Sequence, residues 1–511
     1  MTFTSAPIRL ALMRLNLVAF VAISSVTSFA ADFPRIFASS NESFAQGMTK
    51  RGGDSIRESR KVVYFQDDLK DLALGYANYF IGTTGENNHG QGDVNVKFGL
   101  EYEGRFYPFL MNGQRMGRCA DGATLSTDAL PVAIKAGTYG AIRMWEQKVK
   151  PDPQANAWLW STEGDTAFNE GSVTHSDPNR DWTLGGAPGE TVALTWTVGN
   201  DGSVTPKIAD PGTGILTKGA MVSVLDTQRK GSGFSFVATV KDGAVSGWYQ
   251  QKTGSGYSQE IHVGASGMGG YGAGGGTQTH GPCVIAGTPV EARKSVLLIG
   301  DSIAAGFGSS DKRGDIRRNF GIYARAFAGK MNVCNTAIPG LTAYACDYRY
   351  QRSRALIESM VKPQIVLICI GSNDVDQGVD DSKSKTPFDA LKGHLGSMAS
   401  WWGTHCGSEI WLGTILPRVT QSADGNGVPV QTPKPGFENG GTADRINTGL
   451  REKSLLPAIS RVIDGRALVE DPVDHAKWRV DHGVLTDDGT HPSDGNGIPW
   501  IAGELKTSGL P

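Results

Sequence analysis

Near its middle, the chain reads Ser295-Val296-Leu297-Leu298-Ile299-Gly300-Asp301-Ser302, an apolar run that ends in a polar turn. Near-continuous apolar runs of this kind are typical of strands in parallel sheets that are covered on both faces. Two further apolar runs follow at 365–370 and 410–415, each after a helix-length segment. This alternation predicts an α/β fold with a parallel sheet in the C-terminal part of the chain.

Four polar motifs follow these strands or lie in a late loop. They are Gly300-Asp301-Ser302, Ala337-Ile338-Pro339-Gly340-Leu341-Thr342, Gly371-Ser372-Asn373-Asp374 and Asp488-Gly489-Thr490-His491. Ligand crevices in open α/β sheets form at the carboxyl ends of the strands, where three of these motifs lie. A serine, a histidine and a carboxylate are also what an enzyme needs to direct a serine hydroxyl at a carbonyl carbon. Each motif alone reads equally well as a turn or a helix cap, so the ordered set carries the catalytic interpretation.

In this order and at these distances, the motifs resemble those of the SGNH (GDSL-type) hydrolases, over roughly the last 220 residues. The resemblance implies a flavodoxin-like three-layer sandwich. It implies that Ser302 is the nucleophile, that His491 is the general base and that Asp488 orients the imidazole. Asp487 competes for the third role, but only Asp488 has the family's DxxH spacing. A helix following Ser302 is expected to place its positive dipole near the nucleophile.

The resemblance also implies three donors for the oxyanion of a tetrahedral intermediate. They are the backbone N–H groups of Ser302 and Gly340 and the side-chain amide of Asn373. No Gly-x-Ser-x-Gly surrounds Ser302, which argues against the nucleophile elbow of α/β-hydrolases.

The first half of the chain has a different pattern. Short alternating segments broken by turn residues run from about residue 61 to residue 262 and predict a β-rich sandwich or jelly roll. The expected organisation is a signal peptide over 1–30, a β-rich accessory domain over 31–263, a glycine-rich linker over 264–290 and the SGNH domain over 291–511. Two outcomes are open for the two halves: separable folded units, which is slightly favoured, or a first half that completes the crevice.

The first 30 residues indicate a secreted or periplasmic protein. An apolar run over 15–26 follows Arg9 and Arg14, and Ser28-Phe29-Ala30 has the small residues that a signal peptidase reads. The run is too short for a membrane anchor, and no other stretch is long enough to span a membrane. The formal net charge of -2 gives no reason to expect nucleic acid as a partner. The sequence leaves the oligomeric state open.

Six cysteines are compatible with an oxidising compartment, where some are expected to pair. Cys334 and Cys346 bracket Gly340, so a bridge between them would pin that loop. Cys369 lies within an apolar run and is expected to be a small buried hydrophobe. No cysteine or histidine has metal-site spacing, so neither a metal nor an organic cofactor is expected.

The predicted activity is hydrolysis of carboxylic esters through an acyl-enzyme. Secreted SGNH enzymes that deacylate polysaccharides often carry a β-sandwich, so the arrangement resembles a carbohydrate esterase with an acetylated carbohydrate as its leading substrate. The alternatives are a lipase, arylesterase or thioesterase acting on small or lipidic esters, and a glycan-binding surface protein with a secondary hydrolase domain. An insertion over 421–441 is either a lid or a disordered loop. Six tryptophans of the first half are either sugar platforms or sandwich core: Trp145, Trp158, Trp160, Trp182, Trp196 and Trp248.

Overall fold

The computed structural model describes most of the chain beyond residue 33. The described residues are 34–40, 44–50, 55–102, 105–149, 157–160, 162–163, 171–176, 178, 181, 183, 193–210, 221–226, 232–241, 244–255, 261–264, 278–307, 321–377, 387–423 and 429–508. The expected signal peptide and most of the glycine-rich segment therefore lie outside the described residues.

The strands of the first half pair antiparallel within the described residues. They are β1 (Ile36–Phe37), β2 (Gly47–Lys50), β3 (Ile56–Phe65), β4 (Leu69–Ala77), β5 (Ile81–Gly82), β6 (Gly85–Glu86), β7 (Val94–Tyr102), β8 (Arg105–Pro108), β9 (Gly117–Cys119), β10 (Thr124–Ser126), β11 (Thr138–Lys148), β12 (Ala157–Trp160), β13 (Thr162–Glu163), β14 (Gly171–His175), β15 (Ala193–Val198), β16 (Val204–Asp210), β17 (Met221–Asp226), β18 (Ser232–Lys241), β19 (Ala244–Ser255), β20 (Ile261–Gly264), β21 (Gln278–Thr279) and β22 (Val284–Pro289).

Two of their sheets face each other as a sandwich. One has the order β1-β22-β4-β10, and the other has the order β14-β3-β11-β7-β8 with β9 beside β7. Because side chains alternate along a strand, Leu72, Leu74 and Tyr76 of β4 enter the core between the sheets, where they pack with Val96 and Phe98. The β-rich region predicted for the first half is therefore present. Its hairpins β15–β16 and β18–β19 form where alternating segments flank turn residues.

The remaining strands lie in smaller sheets. The order β19-β18-β17-β20 forms one, and two-stranded pairs are β2 with β12, β5 with β6, β13 with β21 and β15 with β16. Strand β22 lies within the range expected for the linker. All six of its residues are buried, and it pairs with β1 and β4. This end of the expected linker is thus part of the sandwich, while the domain boundaries themselves remain a prediction.

The second half alternates strands and helices. Its elements are β23 (Val296–Gly300), α1 (Gly321–Phe327), β24 (Val333–Asn335), α2 (Ala343–Tyr348), α3 (Gln351–Met360), β25 (Ile365–Cys369), α4 (Ser372–Gln377), α5 (Phe388–Cys406), β26 (Glu409–Gly413), β27 (Val419–Ala423), β28 (Pro429–Pro433), α6 (Thr442–Arg451), β29 (Arg461–Ile463), α7 (Gly465–Val469) and α8 (Gly497–Thr507). Five strands form a parallel sheet in the order β24-β23-β25-β26-β29. The predicted α/β fold is confirmed.

The parallel sheet is covered on both faces. Val296 and Leu298 of β23 share one core with residues of α1 and α8, while Leu297 and Ile299 share the other with residues of α3 and α5. This three-layer arrangement explains why the strand is apolar at every position. None of the described helices is long and apolar enough to cross a membrane.

The second of these cores continues into the sandwich. Ala73 and Ala77, which alternate with the sandwich-core residues of β4, pack in it together with Leu356 and Met360 of α3. Gly75 lies between the two alanines, and a Cβ there would collide with the Met360 sulfur. The missing side chain thus lets α3 lie directly on the sheet. Sandwich and α/β layers share one continuous apolar core, which favours a first half that completes the second, while the separability of the two halves stays a prediction.

Candidate active site

Ser302, His491 and Asp488 form a continuous hydrogen-bonded row. The Ser302 Oγ lies 2.8 Å from His491 Nε2, and His491 Nδ1 lies 2.6 Å from Asp488 Oδ2. Ser302 is half-buried and the His491 side chain is 19% exposed, so a substrate can reach both. If Nδ1 carries its proton toward Asp488, Nε2 is left as the acceptor for the serine proton. The carboxylate that meets the ring is that of Asp488, although both Asp488 and its neighbour Asp487 are exposed.

Ser302 lies two residues beyond the end of β23, an interior strand of the parallel sheet. A Cβ at Gly300 would collide with Ala304 and lie 2.6 Å from the Cys369 carbonyl oxygen, so this tight exit needs glycine. The Asp301 carboxylate accepts the N–H of Ile303 and stabilises the turn. Residues 302–307 form a turn closed by the bond from Phe307 N–H to the Ser302 carbonyl. The structure thus has a turn over 302–307 where a helix was expected after Ser302. Residues 308–320 lie outside the described residues, and the next described helix, α1, begins at Gly321.

Asp488 organises the loop that carries His491. Its Oδ1 accepts the backbone N–H groups of Thr490 and His491, at 2.8 and 2.7 Å. Burial works against the charge, but hydrogen bonds from the His491 ring and from these N–H groups hold the pKa of Asp488 below its usual value. Asp488 is therefore a carboxylate over the neutral pH range and can stabilise an imidazolium.

The same loop is tied to the hairpin β27–β28. The Gly489 carbonyl accepts the Val419 N–H at 2.9 Å and the Trp478 indole N–H at 3.1 Å. Of the insertion expected as a lid or a disordered loop, residues 421–423 and 429–433 are paired strands, and residues 434–441 form turns and bends. Val419, at the base of this hairpin, supports the His491 loop. Residues 424–428 at its tip lie outside the described residues.

Gly340 adopts a conformation that favours glycine. Its φ is +82°, in the left-handed region, and a Cβ would lie 2.6 Å from Cγ2 of Thr83. The Ile338 N–H donates to the Gly300 carbonyl at 3.0 Å, which holds this loop beside the exit of β23. After Gly340, Thr342 caps α2 by accepting the N–H of Ala345.

Asn373 lies at the start of α4, just past β25, and is 5% exposed. Its Nδ2 donates one hydrogen bond to the Leu341 carbonyl at 3.1 Å, which brings the amide to the Gly340 loop. A primary amide carries two N–H groups, so a second donor is available for an oxyanion. The structure thus places the Asn373 amide at the loop that contains Gly340, and its role as an oxyanion donor stays a prediction.

Two buried carboxyl groups behind the loops were not assigned a role from sequence. Asp374 accepts the N–H of Ala343 through both oxygens, at 3.0 and 2.8 Å, and so fixes the start of α2. Burial, assisted by the charge of Asp374, raises the pKa of Asp301 to about 7, and burial raises the pKa of Asp374 to about 6. Both residues stand in motifs that were noticed, but a carboxylate in a motif does not reveal which N–H it will meet.

None of the six cysteines, all of which lie in the described part of the chain, forms a disulfide bridge, so the expected pairing is absent. Five of them are buried and Cys406 is half-buried, and Cys334 and Cys346 lie in the apolar core. Burial raises the pKa of the Cys346 thiol to about 12 and keeps it protonated. Cys369 is the small buried hydrophobe that was expected. Trp145 and Trp158 are at most 2% exposed and are core residues; the other four tryptophans of that set have no described side-chain environment.

Residues 298–494 match the model of the GDSL-like lipase/acylhydrolase family. No curated protein matches the chain. A GDSL-like lipase from Bacteroides thetaiotaomicron is 18% identical, with 42% of this chain and 87% of that chain covered and a TM-score of 0.28. The acetylxylan esterase Axe2 from Geobacillus stearothermophilus is 20% identical, with 43% and 95% covered and a TM-score of 0.28.

Residues 298–494 therefore carry a GDSL-like lipase/acylhydrolase domain, and the enzyme class predicted from the sequence, a carboxylic ester hydrolase, is confirmed. Among the described residues, no group of three or more His, Cys, Asp or Glu side chains is arranged to hold a metal ion.

Proposed function

We propose that this protein is a secreted serine esterase that removes acyl groups, chiefly acetyl groups, from carbohydrates. The observation that carries the chemistry is the row from Ser302 through His491 to Asp488, with distances of 2.8 and 2.6 Å. In such a row the base can take the serine proton while the carboxylate stabilises the resulting cation.

In the first step the Ser302 oxygen bonds to the ester carbonyl carbon, and its proton moves to His491 Nε2. The carbonyl oxygen becomes an oxyanion, for which Ser302 N–H, Gly340 N–H and Asn373 Nδ2 are the proposed donors. One such donor typically contributes about 3 kcal/mol to lowering the barrier. When the tetrahedral intermediate collapses, the C–O bond to the alcohol breaks and the alcohol takes the proton from His491.

The acyl-enzyme is then hydrolysed by the same groups. His491 takes a proton from water, the water oxygen bonds to the acyl carbon, and the bond to Ser302 breaks as the proton returns to its oxygen. The products are a carboxylic acid and free enzyme. Asp488 keeps the imidazole oriented in both halves of the reaction and is not itself protonated.

The carbohydrate assignment has a separate basis. A β-sandwich packs against the catalytic layers through a shared core. A sandwich beside a catalytic unit resembles the organisation of secreted carbohydrate esterases. The leader-like residues 1–30 support export of the protein. Fold alone identifies the attack on a carbonyl better than the alcohol that leaves, so the substrate needs its own test.

An aryl or short lipidic ester is the second candidate, and Phe307 favours it. Its ring is 49% exposed and its centroid lies 4.8 Å from that of His491, so an apolar surface borders the catalytic histidine. Such a surface suits an apolar acyl or aryl group.

One set of assays tests both candidates. Acetate release from acetylated oligosaccharides is compared with hydrolysis of p-nitrophenyl esters of increasing chain length. A carbohydrate esterase gives a higher kcat/KM on the oligosaccharides, whereas a preference for long acyl chains contradicts the proposal.

Ser302→Ala should lose on the order of 10⁶ in kcat, and a serine-directed phosphonate should label Ser302 alone. Activity retained in a folded Ser302→Ala protein would remove Ser302 from the mechanism.

A further inference from the structure

Four side chains form a rim that begins at the Gly340 loop: Thr83, Arg349, Tyr344 and Tyr348. Thr83 stands at the tip of the β5–β6 hairpin, which belongs to the sandwich half of the chain. Its methyl carbon occupies the space beside Gly340 where a side chain would otherwise lie. The first half of the chain thus reaches the loop that is proposed to bind the oxyanion.

The rim is continuous from Thr83 to Tyr348. The Arg349 guanidinium donates to the Thr84 carbonyl at 3.3 Å, and it lies 5.8 Å from the centre of the Tyr344 ring. Tyr344 and Tyr348 are one helical turn apart on α2, and their ring centres are 5.1 Å apart. One end of the rim therefore touches Gly340, and the other ends in two adjacent aromatic rings.

Neighbouring residues hold the tyrosines in place. The ring of His394, on α5, meets Tyr344 and Tyr348 edge-on at 5.5 and 5.4 Å. Asp347 holds that ring, with its Oδ2 3.1 Å from His394 Nδ1. A surface that is held in one conformation before a ligand arrives loses little entropy on binding.

The hairpin is held in a similar way. The Glu86 backbone N–H donates to the Arg349 carbonyl at 2.8 Å, and the Glu86 carboxylate accepts the backbone N–H groups of Arg352 and Ser353 at 3.1 and 2.7 Å. The position of Thr83 relative to Gly340 is therefore set by bonds between the two halves.

The composition and exposure of the rim indicate its ligand. Tyr348 is 60% exposed and Thr83 and Arg349 are exposed, so these side chains face solvent and not a core. Rigid aromatic rings with polar edges give contact area to the C–H face of a pyranose, while a hydroxyl and a guanidinium offer hydrogen bonds to its hydroxyl groups. A ring that served only to pack α2 against α5 would not need this exposure.

We propose that the rim is the subsite for the sugar portion of the ester, with Tyr348 as its stacking surface and Thr83 as a specificity-determining residue. An acyl carbonyl held at Gly340 leaves the rim to the larger, hydroxyl-rich partner of the ester. This inference rests on the proposed function, because the sugar is the alcohol that the esterase releases.

The test measures a ratio of specificities in the full chain. For acetylated xylo-, gluco- and galacto-oligosaccharides, kcat/KM is divided by kcat/KM for p-nitrophenyl acetate, and the fastest oligosaccharide is used for the variants. Tyr348→Ala should lower this ratio about tenfold through loss of stacking, whereas Tyr348→Phe should keep it. Tyr64→Ala is the matched control, because Tyr64 forms a similar ring pair with Tyr139 on β3 and β11. Thr83→Ala should lower the ratio several-fold, and Thr84→Ala, at the adjacent exposed threonine, should not.

The outcomes distinguish failure of the rim assignment from failure of the proposed carbohydrate function. If no acetylated oligosaccharide is hydrolysed while p-nitrophenyl acetate is, the carbohydrate function fails and the rim assignment fails with it. If oligosaccharides are hydrolysed but Tyr348→Ala and Thr83→Ala leave the ratio unchanged, the rim assignment alone is overturned. A second measurement is titration calorimetry of Ser302→Ala with the same acetylated oligosaccharide. Adding Tyr348→Ala to that protein should weaken binding about tenfold, and unchanged affinity would overturn the inference.

Discussion

The carboxylate of Asp374 accepts the backbone N–H of Ala343 through both of its oxygens, at 3.0 and 2.8 Å. This contact joins the motif after β25 to the first residue of α2, three residues beyond Gly340. Together with the bond from Asn373 Nδ2 to the Leu341 carbonyl, it makes one rigid unit of the two motifs proposed to supply oxyanion donors. Such donors are effective because they are in place before charge develops.

Asn373→Ala should lower kcat by about 10²–10³-fold with little change in KM, because the amide is proposed to act only on the transition state. Steady-state kinetics on p-nitrophenyl acetate measure this, with thermal unfolding as the control for the lost bond to Leu341. A large fall in the unfolding temperature with kcat unchanged would mean that Asn373 only supports the loop.

Gly340→Ala should impair both folding and catalysis. Positive φ costs an L-residue roughly 1–2 kcal/mol, and the new methyl would overlap Cγ2 of Thr83, 2.6 Å away. Thr83→Ser removes that methyl and keeps the hydroxyl, so the double variant should regain part of the lost stability but not the lost kcat. Urea unfolding and kinetics of the two single variants and the double variant form the required cycle. Strictly additive free energies of unfolding would show that the two residues do not interact.

Residue patterns were sufficient for the parallel sheet and for the row of Ser302, Asp488 and His491. Apolar runs report burial directly, and a spacing of three residues brings a carboxylate to a histidine within one loop. Thr83 could not be placed from sequence, because no local pattern reports which hairpin tip will meet Gly340. The shared core was hidden for a related reason: Ala73 and Ala77 fit the outer face of a sandwich as well as a surface that packs against a helix.

Asp301 should make the stability of the protein depend on pH. Its folded pKa of about 7 lies above the usual value of 3.8, so its contribution is fully present below about pH 4 and is lost as the pH rises through 7. Relative to Asp301→Asn, the wild-type protein should therefore lose stability between about pH 4 and about pH 7, by at most about 4 kcal/mol. Urea unfolding of both proteins at several pH values measures this difference.

The stability difference between wild type and Asp488→Asn should change with pH in the opposite direction. The pKa of Asp488 is held below its usual value, so its contribution is present above about pH 4 and is lost on acidification.

A stability difference between wild type and Asp301→Asn that does not vary with pH would show that the Asp301 carboxyl does not titrate as described.

The last prediction concerns the two halves of the chain. A fragment of residues 285–511 should aggregate and lose activity even on p-nitrophenyl acetate. Without the sandwich, the apolar side chains of Leu356, Ile357 and Met360 of α3 would be exposed to water. Full burial of each such side chain contributes about 1.5–3 kcal/mol. Gly340 would also lose its contact with Thr83. Size-exclusion chromatography and esterase assays measure both effects.

A cleavage site inserted between Gly274 and Gly275 in the full chain is the matched control, since it breaks the chain after the core has formed. The two pieces should co-elute and stay active, because the shared core and the Glu86 bonds to Arg352 and Ser353 still join them. A soluble, monomeric 285–511 fragment with wild-type kcat on the small ester would instead establish two separable units. It would also show that the hairpin carrying Thr83 is not needed to position Gly340.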